Sequence, residues 1–98
     1  MPLSGQYKAE NNDDHLSHFS IIMDVKDTEK SYIFTLLELN SRYSASHMKL
    51  LFKNSVRVVI RKNRAGHCVK VWGDDDFTFY PYQAGVPYYF ERLRPAGS

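Results

Sequence analysis

Apolar and polar residues alternate over most of the chain, and this period of two is typical of half-buried β-strands. The first such segment covers residues 19–25, where Ile22 is the one exception to the pattern. Its regularly spaced apolar residues are Phe19, Ile21, Met23 and Val25. Residues 31–40 fit the period of a strand and that of a helix, but their Tyr, Ile, Phe and Thr content favours a strand.

The C-terminal half is almost entirely strand by the same criterion. Four strands are predicted there: residues 55–61, 67–72, 77–82 and 88–93. The turn sequence at residues 63–66 joins the first two, which predicts a β-hairpin. Proline cannot donate a hydrogen bond to a ladder, so Pro81 and Pro87 place the last two strands near an edge or at a bulge.

One short helix is predicted over residues 44–53. Ser44 is a candidate N-cap, and Ala45, Met48 and Phe52 recur at helical spacing. Asn54 can end the helix in a left-handed conformation.

The fold predicted from these elements is α+β. It consists of a mainly antiparallel sheet of five or six strands with the short helix packed on one face. Residues 1–16 are polar and lack an apolar period, so we expect a flexible N-terminal arm there. Residues 17–94 then form a single domain, and residues 95–98 form a tail.

The predicted hairpin has one apolar face and one basic face. With residues 63–66 as its loop, Ile60 lies opposite Val69, and Val58 lies opposite Val71, on the core side. The other face carries Arg57, Val59, Arg61, Cys68, Lys70 and Trp72. In this register Arg57 lies opposite Trp72, where a guanidinium can rest on the indole ring.

The positions of Phe77 and Phe79 depend on the length of the next loop. A four-residue loop, 73–76, places both rings on the basic face, whereas a three-residue loop or a bulge moves them into the core beside Val69 and Val71. Large apolar side chains are usually buried, which favours the core position.

Composition and length indicate one globular domain. The chain has 98 residues, of which 43% are hydrophobic and 24% charged, and this excludes disordered and collagen-like classes. The single cysteine, Cys68, excludes an intramolecular disulfide framework and indicates a reducing compartment. No window approaches the run of about 20 apolar residues that crosses a bilayer, and no signal peptide is evident. We therefore expect a cytoplasmic protein without a membrane association.

Charge is distributed unevenly along the chain. Residues 1–40 contain three lysines and seven acidic residues, whereas residues 41–72 contain eight Lys and Arg residues and no Asp or Glu. Clustered cations concentrate phosphates, so the second segment indicates an anionic partner. The alternative is that the segments interleave in the fold and their charges cancel.

Catalytic and cofactor motifs are not evident. The five glycines are too scattered for a nucleotide-binding loop, and no cofactor is expected. His15 with His18, or the acidic residues 74–76, could hold a metal, but a mobile segment and a solvated turn explain them more simply. Cys68 is expected to be packed rather than reactive.

The sequence favours a non-enzymatic module that binds nucleic acid. The candidate binding residues are Arg57, Arg61, Lys62, Arg64, Lys70 and Trp72, with the cations on phosphates and the indole stacked on a base. The alternative is an inhibitor or other protein-interaction module that docks on an acidic protein surface, such as a phage or mobile-element protein that blocks a host nuclease. A third hypothesis is a small metal-independent ribonuclease in which His47 or His67 transfers protons. The sequence does not indicate an oligomeric state.

Overall fold

Seven β-strands and one short α-helix make up the part of the chain that the computed structural model describes, residues 2–63 and 66–94. The strands are β1 (Gly5–Asn11), β2 (Phe19–Asp27), β3 (Ser31–Asn40), β4 (Arg57–Arg61), β5 (Cys68–Val71), β6 (Asp76–Tyr80) and β7 (Tyr88–Arg92). The helix, α1, covers Ser46–Leu51. All strand pairs in the described residues are antiparallel, in the order β4-β3-β2-β1-β7-β6-β5.

The α+β class and the antiparallel sheet are as predicted, but the sheet has seven strands rather than five or six. The additional strand is β1, which lies within the segment expected to be a flexible arm. It occupies the middle of the sheet, between β2 and β7, with Tyr7 and Ala9 buried. Its alternation was hard to detect because only these two inward residues are apolar over its seven positions. A strand paired on both sides is well ordered, so the prediction of an arm over residues 1–16 is wrong for Gly5–Asn11.

The sheet curves into a half-barrel whose edges are β4 and β5. The predicted hairpin between these two strands is therefore wrong. β4 pairs with β3, with Val58 opposite Phe34, and β5 pairs with β6. Consecutive strands with alternating residues do not have to pair when each finds another partner. Without the hairpin, Arg57 does not lie opposite Trp72 as expected.

Aromatic side chains fill the concave side of the half-barrel. Phe77, Phe79 and Phe90 are fully buried, and the Phe34 ring lies 4.9 Å from that of Phe79 between centroids. The Phe77 and Phe79 positions match the three-residue-loop alternative. Val71 pairs with Phe77 and Val69 with Phe79, which leaves residues 73–75 as the loop. Register thus places both rings in the core.

Pro81 and Pro87 do not mark edge strands. β6 ends at Tyr80 and β7 begins at Tyr88, so both prolines lie just outside the ladder. The prolines therefore remove no ladder hydrogen bond, and β6 and β7 are interior strands of the sheet.

The helix is shorter than predicted: it covers Ser46–Leu51, and residues 44, 45, 52 and 53 lie outside it. Ala45, with φ 61°, occupies the N-cap position. Ser44 is not the cap, since its hydroxyl donates instead to the carbonyl of His18 at 2.7 Å. Met48 and Phe52 pack into the core, so the helix covers part of the concave side. None of the helical residues in the described ranges forms a segment with the length and apolar character needed to cross a bilayer.

Candidate nucleic-acid interface

The exposed face of β4 carries two arginines. Burial alternates along the strand, with Ile60 buried and Val58 half-buried on the concave side, and Arg57 and Arg61 exposed on the convex side. Their cross-strand neighbours on β3 are uncharged: Arg57 faces Thr35, and Arg61 faces Ser31. Neither arginine forms an ion pair with any residue in the described ranges. Both charges are therefore available to an anionic ligand.

β5 carries Lys70, and the only tryptophan of the chain, Trp72, directly follows this strand. The ammonium of Lys70 lies 4.4 Å from the centroid of the Trp72 ring, within the range of a cation–π contact. Trp72 Nε1 donates to the hydroxyl of Thr78 at 2.8 Å, and this bond fixes the orientation of the ring. The indole is nonetheless 55% exposed. Lys70 thus occupies the position on the indole that the sequence assigned to Arg57.

Lys62 differs from the other predicted cations because it already has an acidic partner. Its Nζ lies 2.8 Å from a carboxylate oxygen of Asp27, whose side chain is only 5% exposed. It also lies 4.7 Å from the centroid of the Tyr32 ring. The hydrogen bond to Asp27 raises the pKa of Lys62 above its usual range. Its charge is therefore largely neutralised within the protein.

An open cleft of about 560 Å³ separates β4 from β5, where the sequence predicted a hairpin. Its lining residues are Tyr32, Ile60, Arg61, Lys62, Gly66, His67, Cys68, Val69, Tyr80 and Gln83. Aromatic, apolar and basic side chains meet here because the curvature of the sheet brings its two edges towards each other. Sequence reasoning missed Tyr32 and Tyr80, since their closeness depends on the pairing of β3 with β4 and of β5 with β6.

The structure brings together only some of the predicted site residues. Arg61 and Lys62 line the cleft, while Arg57 lies further along β4 on its convex face. Lys70 and Trp72 form a second group on the β5 edge. Arg64 lies outside the described residues. The predicted interface is thus two groups on either side of a cleft rather than one continuous hairpin face.

The acidic turn after β5 is engaged within the protein. Asp75 accepts hydrogen bonds from Arg92 at 2.9 Å and from Arg94 at 2.5 Å, and these bonds lower its pKa. Asp76 accepts a bond from Tyr89 at 2.5 Å, which raises the pKa of that hydroxyl to about 12. The turn is therefore an ion-pair cluster at one end of β7.

The histidines considered for metal binding and proton transfer lie at two separate places. His15 and His18 line a shallow depression with Arg42 and Tyr43. His47 and His67 both contact the ring of Tyr82, at centroid distances of 5.2 and 6.1 Å. No group of three or more His, Cys, Asp or Glu suited to a metal ion occurs in residues 2–63 and 66–94. Cys68 is exposed rather than packed.

Comparison with known proteins provides no relative from which a role could be transferred. No family model, curated protein or solved structure matches the chain.

Proposed function

We propose that the protein is a non-enzymatic module that binds nucleic acid through the β4 and β5 edges of the half-barrel. The observation that carries the proposal is the pair of exposed arginines on β4, Arg57 and Arg61, which have no acidic partner in the described residues. Exposed, unpaired arginines suit phosphate oxygens, because a guanidinium can donate two parallel hydrogen bonds to them.

Trp72 and Lys70 supply the second part of the proposed interface. An exposed ring held by a hydrogen bond is preorganised for stacking on a base, and the adjacent ammonium can reach a phosphate. Stacking is tolerant of sequence because every base has an aromatic face. We therefore expect binding with little sequence preference. Lys62 contributes less than the sequence predicted, since Asp27 already neutralises it.

Fluorescence anisotropy with labelled single-stranded DNA, duplex DNA and RNA tests this proposal. The unmodified chain should bind at about 50 mM salt and release at about 200 mM, because phosphate contacts release counterions. Replacing Arg57 and Arg61 together by Ala should weaken binding. It should also reduce the slope of log affinity against log salt by about 0.7 for each single-strand phosphate that the variant no longer neutralises. Stacking on the only tryptophan should also quench its intrinsic fluorescence.

A matched control removes two exposed cations from elsewhere. Lys26→Ala with Lys53→Ala changes the net charge equally, and both lysines lie outside the proposed interface, on β2 and after α1. This control should retain most of the affinity. Full-strength binding by the arginine double variant, or equally weakened binding in the two double variants, would remove β4 from the interface.

The second candidate function is protein binding, and the unpaired edges of β4 and β5 favour it. An exposed strand edge offers backbone donors and acceptors to an added strand, and the arginines of β4 suit an acidic protein surface. A pull-down from extract separates the two functions. A stoichiometric protein partner that survives nuclease treatment would support protein binding, whereas loss of every partner after nuclease would support nucleic-acid binding.

A further inference from the structure

The cleft between β4 and β5 has the dimensions of a small-ligand site. Its volume of about 560 Å³ falls within the usual range for such sites, roughly 300–1,000 Å³. Among the described residues, β4 pairs only with β3, and β5 pairs only with β6. The cleft lies between the other edges of these two strands. A ligand there would contact both edges of the sheet.

The walls of the cleft suit a flat aromatic ligand. Val69 and Tyr80, which are both half-buried, supply apolar surface and an aromatic ring. Ile60 and Tyr32 also line the cleft but are buried, and the ammonium of Lys62 lies 4.7 Å from the centroid of the Tyr32 ring. Gln83 adds an amide that can both donate and accept hydrogen bonds. Aromatic walls with a few polar groups are how proteins hold an unstacked base.

The charge of the cleft matches a single phosphate. Arg61 and Lys62 both line it, but Lys62 is paired with the buried Asp27 carboxylate. Arg61 forms no ion pair with the described residues and so supplies one unpaired positive charge among the described lining residues. One phosphate with one attached base satisfies this arrangement better than a polyphosphate does.

We propose that the cleft takes one unpaired base of a bound nucleic-acid strand, with the base against Tyr80 and Val69 and the adjoining phosphate at Arg61. This inference rests on the proposed function and specifies its ligand as a single strand. The bases of a duplex are paired and stacked inside the helix, so a duplex can reach Arg57 and Arg61 only with its backbone.

Cys68 provides a direct probe of the cleft, because it is the only cysteine of the chain, is exposed and lines the cleft. The rate of its reaction with a thiol reagent is measured on the unmodified protein in the presence of an oligothymidine strand. An abasic strand of equal length carries the same phosphates without bases. The oligothymidine strand should slow the reaction, whereas the abasic strand and a blunt duplex should slow it much less.

A substitution in the wall of the cleft provides a second test. Tyr80→Ala should weaken binding of the oligothymidine strand by about tenfold, as expected for the loss of one stacked base. It should leave binding of the abasic strand nearly unchanged. Tyr43→Ala is the matched control, since Tyr43 is 57% exposed and lies outside the cleft. Circular dichroism verifies that both variants fold, and the measurement on the unmodified chain does not depend on them.

The outcomes distinguish this inference from the proposed function. Equal protection of Cys68 by the oligothymidine and abasic strands, or no protection while anisotropy still shows salt-dependent binding, would overturn the base site and leave the nucleic-acid proposal standing. Absence of strand binding by anisotropy would overturn both.

Discussion

The arginines of β7 and β4 lie on one sheet but in opposite surroundings. Arg92 on β7 donates to the Asp75 carboxylate at 2.9 Å, and its guanidinium lies 4.9 Å from the centroid of the Tyr7 ring. It also donates to the carbonyls of Pro2, Ser4 and Asp74. The guanidinium groups of Arg57 and Arg61 on β4 form no ion pair with the described residues, and the side-chain hydrogen bonds of Arg57 involve only its backbone, with the Ser55 hydroxyl.

The difference shows that the position of the nearest acidic residue, rather than the number of charges, decides whether an arginine is paired within the fold or unpaired at the surface. Arg92 lies beside the acidic loop between β5 and β6, and its bonds tie that loop to the N-terminal segment. Arg57 and Arg61 lie beside Thr35 and Ser31, which carry no charge. One group therefore stabilises the fold, while the other remains open to a ligand.

The largest effect on stability is expected from the removal of Arg92, and the removal of Arg57 is the comparison. Arg92→Ala should lower the free energy of unfolding by about 3 kcal/mol, because hydrogen bonds to a charged group contribute roughly 1.5 to 3 kcal/mol and several are removed together. Arg57→Ala should change it by less than about 0.5 kcal/mol, as for most exposed positions. Urea unfolding followed by circular dichroism measures both. Similar destabilisation of the two variants would contradict the distinction.

Asp27 offers a way to convert a paired cation into a free one. Asp27→Asn should lower the free energy of unfolding by about 1 to 2 kcal/mol, since the buried carboxylate accepts bonds from Lys62 and from the amide of Leu3. The same change should strengthen nucleic-acid binding, because Lys62 would then be free to contact a phosphate. The salt slope for a single strand should steepen by about 0.7.

Asp27→Asn combined with Lys62→Met is the control for the Asp27 variant. It should have nearly the salt slope of the unmodified chain, because both charges of the pair are removed together. A shallower slope in this double variant would show instead that Lys62 contacts the ligand despite its ion pair.

The smallest effect concerns acid stability. The pKa of Asp75 is lowered from its ordinary 3.8, chiefly by the hydrogen bond from Arg92 and also by that from Arg94. A carboxylate with a lowered pKa contributes stability that is fully present above its unfolded pKa and is lost as pH falls through its folded pKa. Asp75→Asn should therefore flatten the decline of the urea midpoint below about pH 4. An unchanged decline would show that other carboxylates account for the acid sensitivity.

Local pattern was sufficient to predict most of the elements. The alternation of apolar and polar residues predicted six segments that correspond to β2 through β7, and helical spacing predicted α1 within two residues at each end. These signals are local because side chains alternate between the two faces of any strand, whatever its partner. β1 escaped detection because only Tyr7 and Ala9 carry its apolar face.

The candidate site was predicted only in part. Arg57 and Arg61 face solvent, as alternation requires, and Trp72 is exposed beside a cation. The cation on the indole is Lys70, and Arg61 lines the cleft with His67 and Cys68 while its strand partner is Ser31 on β3. The register between neighbouring strands fixes such contacts, and a period of two contains no information about register.

The sequence by itself determined the fold class, the inward faces of β2 and β4 and the basic character of residues 41–72. Only the tertiary structure decided that β1 lies at the centre, that β4 and β5 remain apart and that Lys62 binds Asp27. Strand pairing depends on which backbone edges and apolar faces meet in the folded sheet. Asp27 and Lys62 are 35 residues apart in the chain, and they become neighbours only when β2, β3 and β4 pair in order.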